Sequence, residues 1–106
     1  LVIIGDWNSS ALWDKKRKVG NHSDVCNFLN SKGLVSSYHS EGKISQGEET
    51  DNTFFMHRNL NKGYHIDYLF AAPKFLSHSQ KMKIGDRNQW LKYSDHLPIS
   101  YQLNID

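Results

Sequence analysis

The chain has 106 residues, a net charge of +2 and a single cysteine, with 38% apolar and 23% charged residues. That is one small domain, residues 1–106, with too little charge for a strong field. It excludes an internal disulfide framework and, lacking any apolar run near ~20 residues, a membrane-spanning helix. The lone Cys26 points to a reducing, cytoplasmic compartment, and thirteen aromatic residues (3 Trp, 5 Tyr, 5 Phe) argue for a real core.

The chain opens LVIIGDWNSS. Residues 1–4 form a branched apolar run that predicts a buried strand. Asp6 and Asn8 follow just past its end, where many α/β folds place chemistry. Residues 9–20 read as a loop carrying the basic run Lys15, Lys16, Arg17, Lys18. Val25, Phe28 and Leu29 follow helical spacing, which predicts a helix over 23–32, capped by Asn21 or Ser23 and closed by Gly33. Residues 34–39 predict a short strand and 40–51 a polar loop. Two strands follow at 53–56 and 64–71, joined by a turn at 59–63. Residues 73–77 predict a helical turn, 80–84 an alternating strand, and 99–105 a last strand in which Tyr101, Leu103 and Ile105 alternate with polar residues. The order β-α-β-β-β-β-β predicts an α+β domain: one mixed, mainly antiparallel sheet with helical cover.

Three stretches attach polar groups to strands: Gly5-Asp6-Trp7-Asn8, Tyr64-His65-Ile66-Asp67-Tyr68 and Ser94-Asp95-His96-Leu97-Pro98. Asp67 lies inside a segment of high β propensity, and a carboxylate there is costly to bury unless paired. A histidine is the natural partner, because a carboxylate on one ring nitrogen fixes the tautomer and frees the other nitrogen.

GDWN, YHIDYLF and SDHLP together resemble the C-terminal signatures of the endonuclease/exonuclease/phosphatase superfamily, which has a deoxyribonuclease-I-like fold. Thr53-Phe54-Phe55 is similar to the family's Thr-aromatic strand. The resemblance spans residues 3–105 and implies the C-terminal half of a four-layer α/β/β/α sandwich. The half that would precede it normally supplies an Asn and a Glu metal ligand.

The resemblance implies a phosphoesterase dependent on Mg²⁺, with Mn²⁺ as substitute, acting on a phosphate ester, foremost a nucleic acid. Other members act on inositides as phosphomonoesterases or on lipid phosphodiesters. By carry-over, Asp95 is a direct or water-mediated metal ligand, and Asp6 orients or deprotonates the attacking water. Asn8 offers its amide to a phosphate oxygen or to metal-bound water. His96 contacts the phosphate while Asp67 holds its imidazole. Asp6, Asn8 and Asp95 are expected to converge at one end of the sheet. Without the other half they would bind Mg²⁺ poorly and leave the chain inactive alone.

Secondary candidates carry both a plain and a functional sense. His65, two residues before Asp67, is either a hydrogen-bonded strand residue or a phosphate contact on the same sheet face. Residues 15–18 are either a solvated loop or a patch for anionic substrate. Trp7, Trp13 and Trp90 either pack or stack on a base or sugar. His22 with Asp24 suits capping, Cys26 suits helix packing, and His39, His57 and His78 lack metal-site spacing. A sheet face stripped of its other half would be covered by the missing half or by a second copy in a homodimer. A non-catalytic fragment that only assembles with a partner is the competing class of function.

Overall fold

The computed structural model describes residues 1–76 and 81–105. The central feature is strand β5 (Asp67–Ala71), buried along its whole length. β1 (Val2–Asp6) runs antiparallel along one side of it, in the register Val2↔Ala71 through Asp6↔Asp67. The two-residue β2 (Val35–Ser36) pairs with its other side. Alternation along β5 sends Tyr68 and Phe70 one way and Leu69 and Ala71 the other. Each pair seeds a separate core. Tyr68 and Phe70 pack with Cys26, Leu29 and Leu34, flanked by Ile3 and Trp7. Leu69 and Ala71 pack with Tyr38, Leu76 and Met82. A strand covered on both faces reads in sequence as a continuous apolar run, and DYLFA nearly does.

Helix α1 (His22–Ser31) covers the first core. Its N-cap is Asn21: the side chain accepts the Asp24 N–H, and the Asp24 carboxylate accepts the Asn21 N–H, a reciprocal box that satisfies two otherwise unpaired donors. Gly33 follows with φ +80, a left-handed conformation that glycine adopts without a Cβ clash. Two smaller antiparallel pairs complete the architecture: the hairpin β3 (Phe54–Phe55) with β4 (Gly63–Tyr64), and β6 (Lys83–Ile84) with β7 (Ile99–Ser100).

The domain is thus mixed α+β, but its strands form three small antiparallel sheets among the described residues rather than one mixed sheet. Several expected elements change for local reasons. Strand 1–4 extends to Asp6. The loop 9–20 contains a 3-10 helix, Ala11–Lys16, capped by the Ser10 hydroxyl, which accepts the Leu12 N–H. The expected strand 34–39 stops at Ser36 and becomes helix α2 (Ser37–Gly42). The expected strand 64–71 breaks at residues 65 and 66, because the Ile66 and Asp67 N–H groups donate to the Thr53 hydroxyl instead of a ladder carbonyl. A short helix α3 (Arg87–Trp90) stands where no element was expected, and the last strand ends at Ser100. The turn expected at 73–77 is a 3-10 helix, Pro73–Phe75. Ser77, His78 and Gln80 lie outside the described residues.

Phe70 is 1% exposed and carries the Trp7 indole stacked on its ring at 4.8 Å. Phe70→Ala should therefore cost about 3–5 kcal/mol of unfolding free energy, a large part of the ~5–15 kcal/mol typical of a domain. Urea denaturation followed by tryptophan fluorescence should show a fall of that size in the midpoint-derived stability.

Candidate active site

β1 and β5 end together, so their register sets Asp6 opposite Asp67. Two carboxylates directly opposed across a strand pair repel. The segment after α3 brings His96 to them. Its backbone bridges Phe54 of β3, its N–H donates to Ser94 Oγ at 3.0 Å, and its ring lies 4.8 Å from the Phe54 ring. The two ring nitrogens then face the two acids. Nδ1 is 3.0 Å from Asp67 Oδ2 and 3.2 Å from Oδ1, and Nε2 is 3.5 Å from Asp6 Oδ2. These are residues 29 apart in sequence, Asp67 and His96, brought within hydrogen-bond reach. An Nδ1–H donated to Asp67 leaves Nε2 on the Asp6 side free to work.

Exposure rises outward through this row: the Asp67 side chain is 10% exposed, His96 29% and Asp6 50%. Asp6 is pinned by a local turn in which the Asn8 N–H donates to its Oδ1 at 2.7 Å. Asn8 holds φ +48, a left-handed conformation that asparagine tolerates better than most residues. Asp6, Asp67 and His96 offer ligand atoms within 4.8 Å of one another, and among the described residues no other trio of His, Cys, Asp or Glu does so. Carboxylate oxygens suit a hard divalent cation, and a lone imidazole nitrogen is compatible with Mn²⁺.

Asp95 stands apart from that trio. It lines an open hollow of about 550 Å³ with His57, Arg58, Tyr93 and Ser94. Its backbone carbonyl accepts the Phe55 N–H at 2.8 Å. Asn8, Trp13, Lys16 and Arg17 line a second hollow of about 260 Å³. Of the basic run, then, Lys16 and Arg17 border the candidate site, and Lys15 and Lys18 are simply exposed. Trp7 is taken up by packing on Phe70 and Tyr68. Trp13 lies against Tyr64, centroid to centroid 5.2 Å.

His65 is 3% exposed and lies two residues before the start of β5. Its Nδ1 contacts the Asp51 carbonyl at 2.9 Å, and its ring lies tilted against Tyr38 and Tyr68. Burial holds its pKa below the ordinary imidazole value, against the raising pull of the Asp51 carbonyl and the Glu49 charge.

Behind the site runs a polar network that residue spacing did not reveal. His22 joins Ser9 at 2.8 Å, Gln46 at 2.8 Å and the Cys26 thiol at 3.3 Å. His39 joins Ser36 at 2.6 Å and Glu49 at 3.0 Å. Burial works to raise the Glu49 pKa, but hydrogen bonds from His39 and the Gly47 N–H outweigh it and hold the carboxyl below its ordinary value. Burial, helped by the Asp14 and Glu49 charges, pushes the Cys26 thiol up to about 11, so it packs as a neutral thiol. Burial also raises the Tyr68 phenol, keeping it a donor to the Ser9 and His65 carbonyls at 2.9 and 2.8 Å.

Both titrating shifts make the fold acid-sensitive. Unfolded, His65 takes up a proton near its ordinary value of 6.5, whereas the folded chain resists protonation to lower pH, so stability falls as pH drops below 6.5. Glu49 contributes stability above its ordinary 4.5, lost as pH falls through its lower folded value. Thermal midpoints should therefore be flattest between pH 6.5 and 9.0, decline in two steps below that range, and fall again above it, where the unfolded Cys26 thiol ionises and the buried one resists. His65→Gln should flatten the upper step only.

Comparison with known proteins adds no relative: no protein-family model matches the chain, and neither does any curated protein or solved structure.

Proposed function

We propose that this chain carries part of the active site of a divalent-metal-dependent phosphoesterase, foremost a phosphodiesterase acting on nucleic acid. The observation that carries the proposal is the row Asp67–His96–Asp6, in which one imidazole faces two carboxylates at 3.0 and 3.5 Å. The three motifs that build the row are those of the endonuclease/exonuclease/phosphatase pattern. On this proposal the domain is the C-terminal half of a four-layer sandwich.

In the proposed chemistry Asp67 keeps the His96 Nδ1–H and so presents Nε2 outward. His96 Nε2–H, when protonated, donates to a phosphoryl oxygen as negative charge grows there. Asp6 Oδ2 receives the proton of the attacking water as that oxygen bonds to phosphorus; the bond from phosphorus to the ester oxygen breaks, the leaving oxygen takes a proton from solvent, and Asp6 Oδ1 stays fixed by the Asn8 N–H. The Asn8 side chain, exposed beside it, offers an amide to a phosphate oxygen. Mg²⁺ or Mn²⁺, when bound, polarises the phosphoryl oxygen and lowers the pKa of water. Asp6, with Asn8 and Asp95 as further candidates, would hold it from this chain. Lys16 and Arg17 in the hollow with Asn8, and Arg58 in the hollow with Asp95, suit the phosphates flanking a scissile bond.

A second class, assembly without catalysis, is favoured by the open edge of β1. Its only paired neighbour among the described residues is β5. Leu1 and Ile4 are 83% and 53% exposed, and no Lys, Pro or bulge blunts the edge. The other half of the proposed sandwich or a second copy would cover it.

Two carboxylates make an incomplete shell for an ion that prefers near-octahedral oxygen. The chain alone should bind Mg²⁺ weakly and hydrolyse no phosphodiester; tight stoichiometric binding by calorimetry would overturn this. Mn²⁺ should broaden the His96 ring signals in NMR, and Asp6→Asn should weaken that effect by about 10-fold or more. Joined to a polypeptide supplying the remaining ligands, the chain should show Mg²⁺-dependent hydrolysis. Asp67→Asn should then lower kcat on the order of 10²–10⁴-fold. Sedimentation velocity separates the classes: Ile4→Lys should abolish self-association if the β1 edge mediates it.

A further inference from the structure

One buried residue links the arms that carry the row, through its hydroxyl and its backbone. Thr53 is 0% exposed and immediately precedes β3. Its Oγ1 accepts the Ile66 N–H at 3.0 Å and the Asp67 N–H at 3.2 Å. Its own N–H donates to the Tyr64 carbonyl at 2.9 Å, and its carbonyl accepts the Leu97 N–H at 2.7 Å. Ile66, held by the hydroxyl, accepts the Trp7 N–H at 3.0 Å through its carbonyl. Thr53 is therefore bonded to the residue bearing the Asp67 carboxylate and to the residue after His96. Through Ile66 it also reaches the residue after Asp6.

We propose that Thr53 is a positioning residue whose side-chain hydroxyl sets the Asp67–His96 hydrogen bond. The strand 64–71 breaks where Ile66 and Asp67 would otherwise need ladder acceptors, and Oγ1 replaces them. Two buried N–H donors on one acceptor are costly to orphan, so the backbone there cannot relax without losing both. A valine has the same shape and no acceptor. With it, Asp67 would leave its present register against His96, although the Thr53 backbone bonds to Tyr64 and Leu97 need not change. The geometry stands on hydrogen bonds alone; that the held pair acts on a phosphoester rests on the function proposed above.

The test reads the pair directly, without turnover. In the ¹⁵N-labelled chain, His96 should show a single Nδ1–H tautomer and a downfield, slowly exchanging Nδ1 proton at neutral pH. Thr53→Val should lose the downfield proton and give mixed tautomers while the amide spectrum stays dispersed. Thr53→Ser, which restores the hydroxyl, should recover both signatures. A folded Thr53→Val that keeps them overturns the proposal, as does a folded Thr53→Ser that loses them. Should valine not fold, Thr53→Ala is read in the same way. If neither folds while serine does, the hydroxyl holds the whole domain and not the pair, and the proposal fails. Asp67→Asn is the separate arm for function: loss of the Nδ1 signature there with Mn²⁺ broadening absent in the unaltered chain would remove the phosphoesterase reading and leave the Thr53 result standing.

Discussion

The antiparallel register of β1 on β5 is the constraint from which the site follows. Five residue pairs run from Val2↔Ala71 to Asp6↔Asp67. The same register that interleaves Ile3 with Phe70 in one core necessarily ends with two acids face to face. A one-residue slip would turn Tyr68 and Phe70 away from α1 and into the second core, where Leu69 and Ala71 now fit, so packing on both faces locks the acids in opposition. The fold thereby holds a like-charge conflict that propensity alone would avoid. The His96 ring lies between them, with Nδ1 3.0 Å from Asp67 and Nε2 3.5 Å from Asp6, and relieves the conflict fully when both nitrogens carry protons.

The polar groups of the interior support this arrangement. Tyr68 sits in the first core, yet its hydroxyl reaches the Ser9 and His65 carbonyls. Those two positions flank the loops leaving Asp6 and approaching Asp67. A phenylalanine would fill the same volume and leave two carbonyls without that donor. His22 and His39 extend the pattern through Gln46 to Glu49, tying α1 and α2 to the loop 43–52.

Much of this was legible in the residues, and the limits have physical causes. Helix α1 was visible because its apolar spacing and cap residues are local. The need of Asp67 for a histidine partner was visible because a carboxylate in a strand is expensive to bury. Helix α2 was hidden: SYHSEG has no amphipathic stripe, and the groups it buries are largely polar, held by Glu49 and Asp51 from a later loop. The break before β5 was hidden because it depends on an acceptor at Thr53, a partner 13 residues away that no pattern marks. His65 and Trp7 looked available to substrate because alternation and motif position say nothing about which aromatic neighbours will enclose them. Asp95 follows the motif, but it lies in a bend and lines the hollow beside His57 and Arg58 without joining the Asp6, Asp67 and His96 group, a placement that a linear motif does not encode.

The outward gradient of exposure from Asp67 to His96 to Asp6 gives the row two unlike ends. The inner contact is shielded by the core, and dissolved ions reach it poorly; the outer contact lies within the ion atmosphere, which screens charges over ~8 Å at physiological salt. Ionic strength thus acts on the imidazole asymmetrically. When the ring is protonated, raising ionic strength loosens the hold of Asp6 while Asp67 keeps the ring aligned, so the outer N–H becomes available to whatever anion arrives from solvent. The direction of approach is written into the dielectric profile of the site, before any ligand is present.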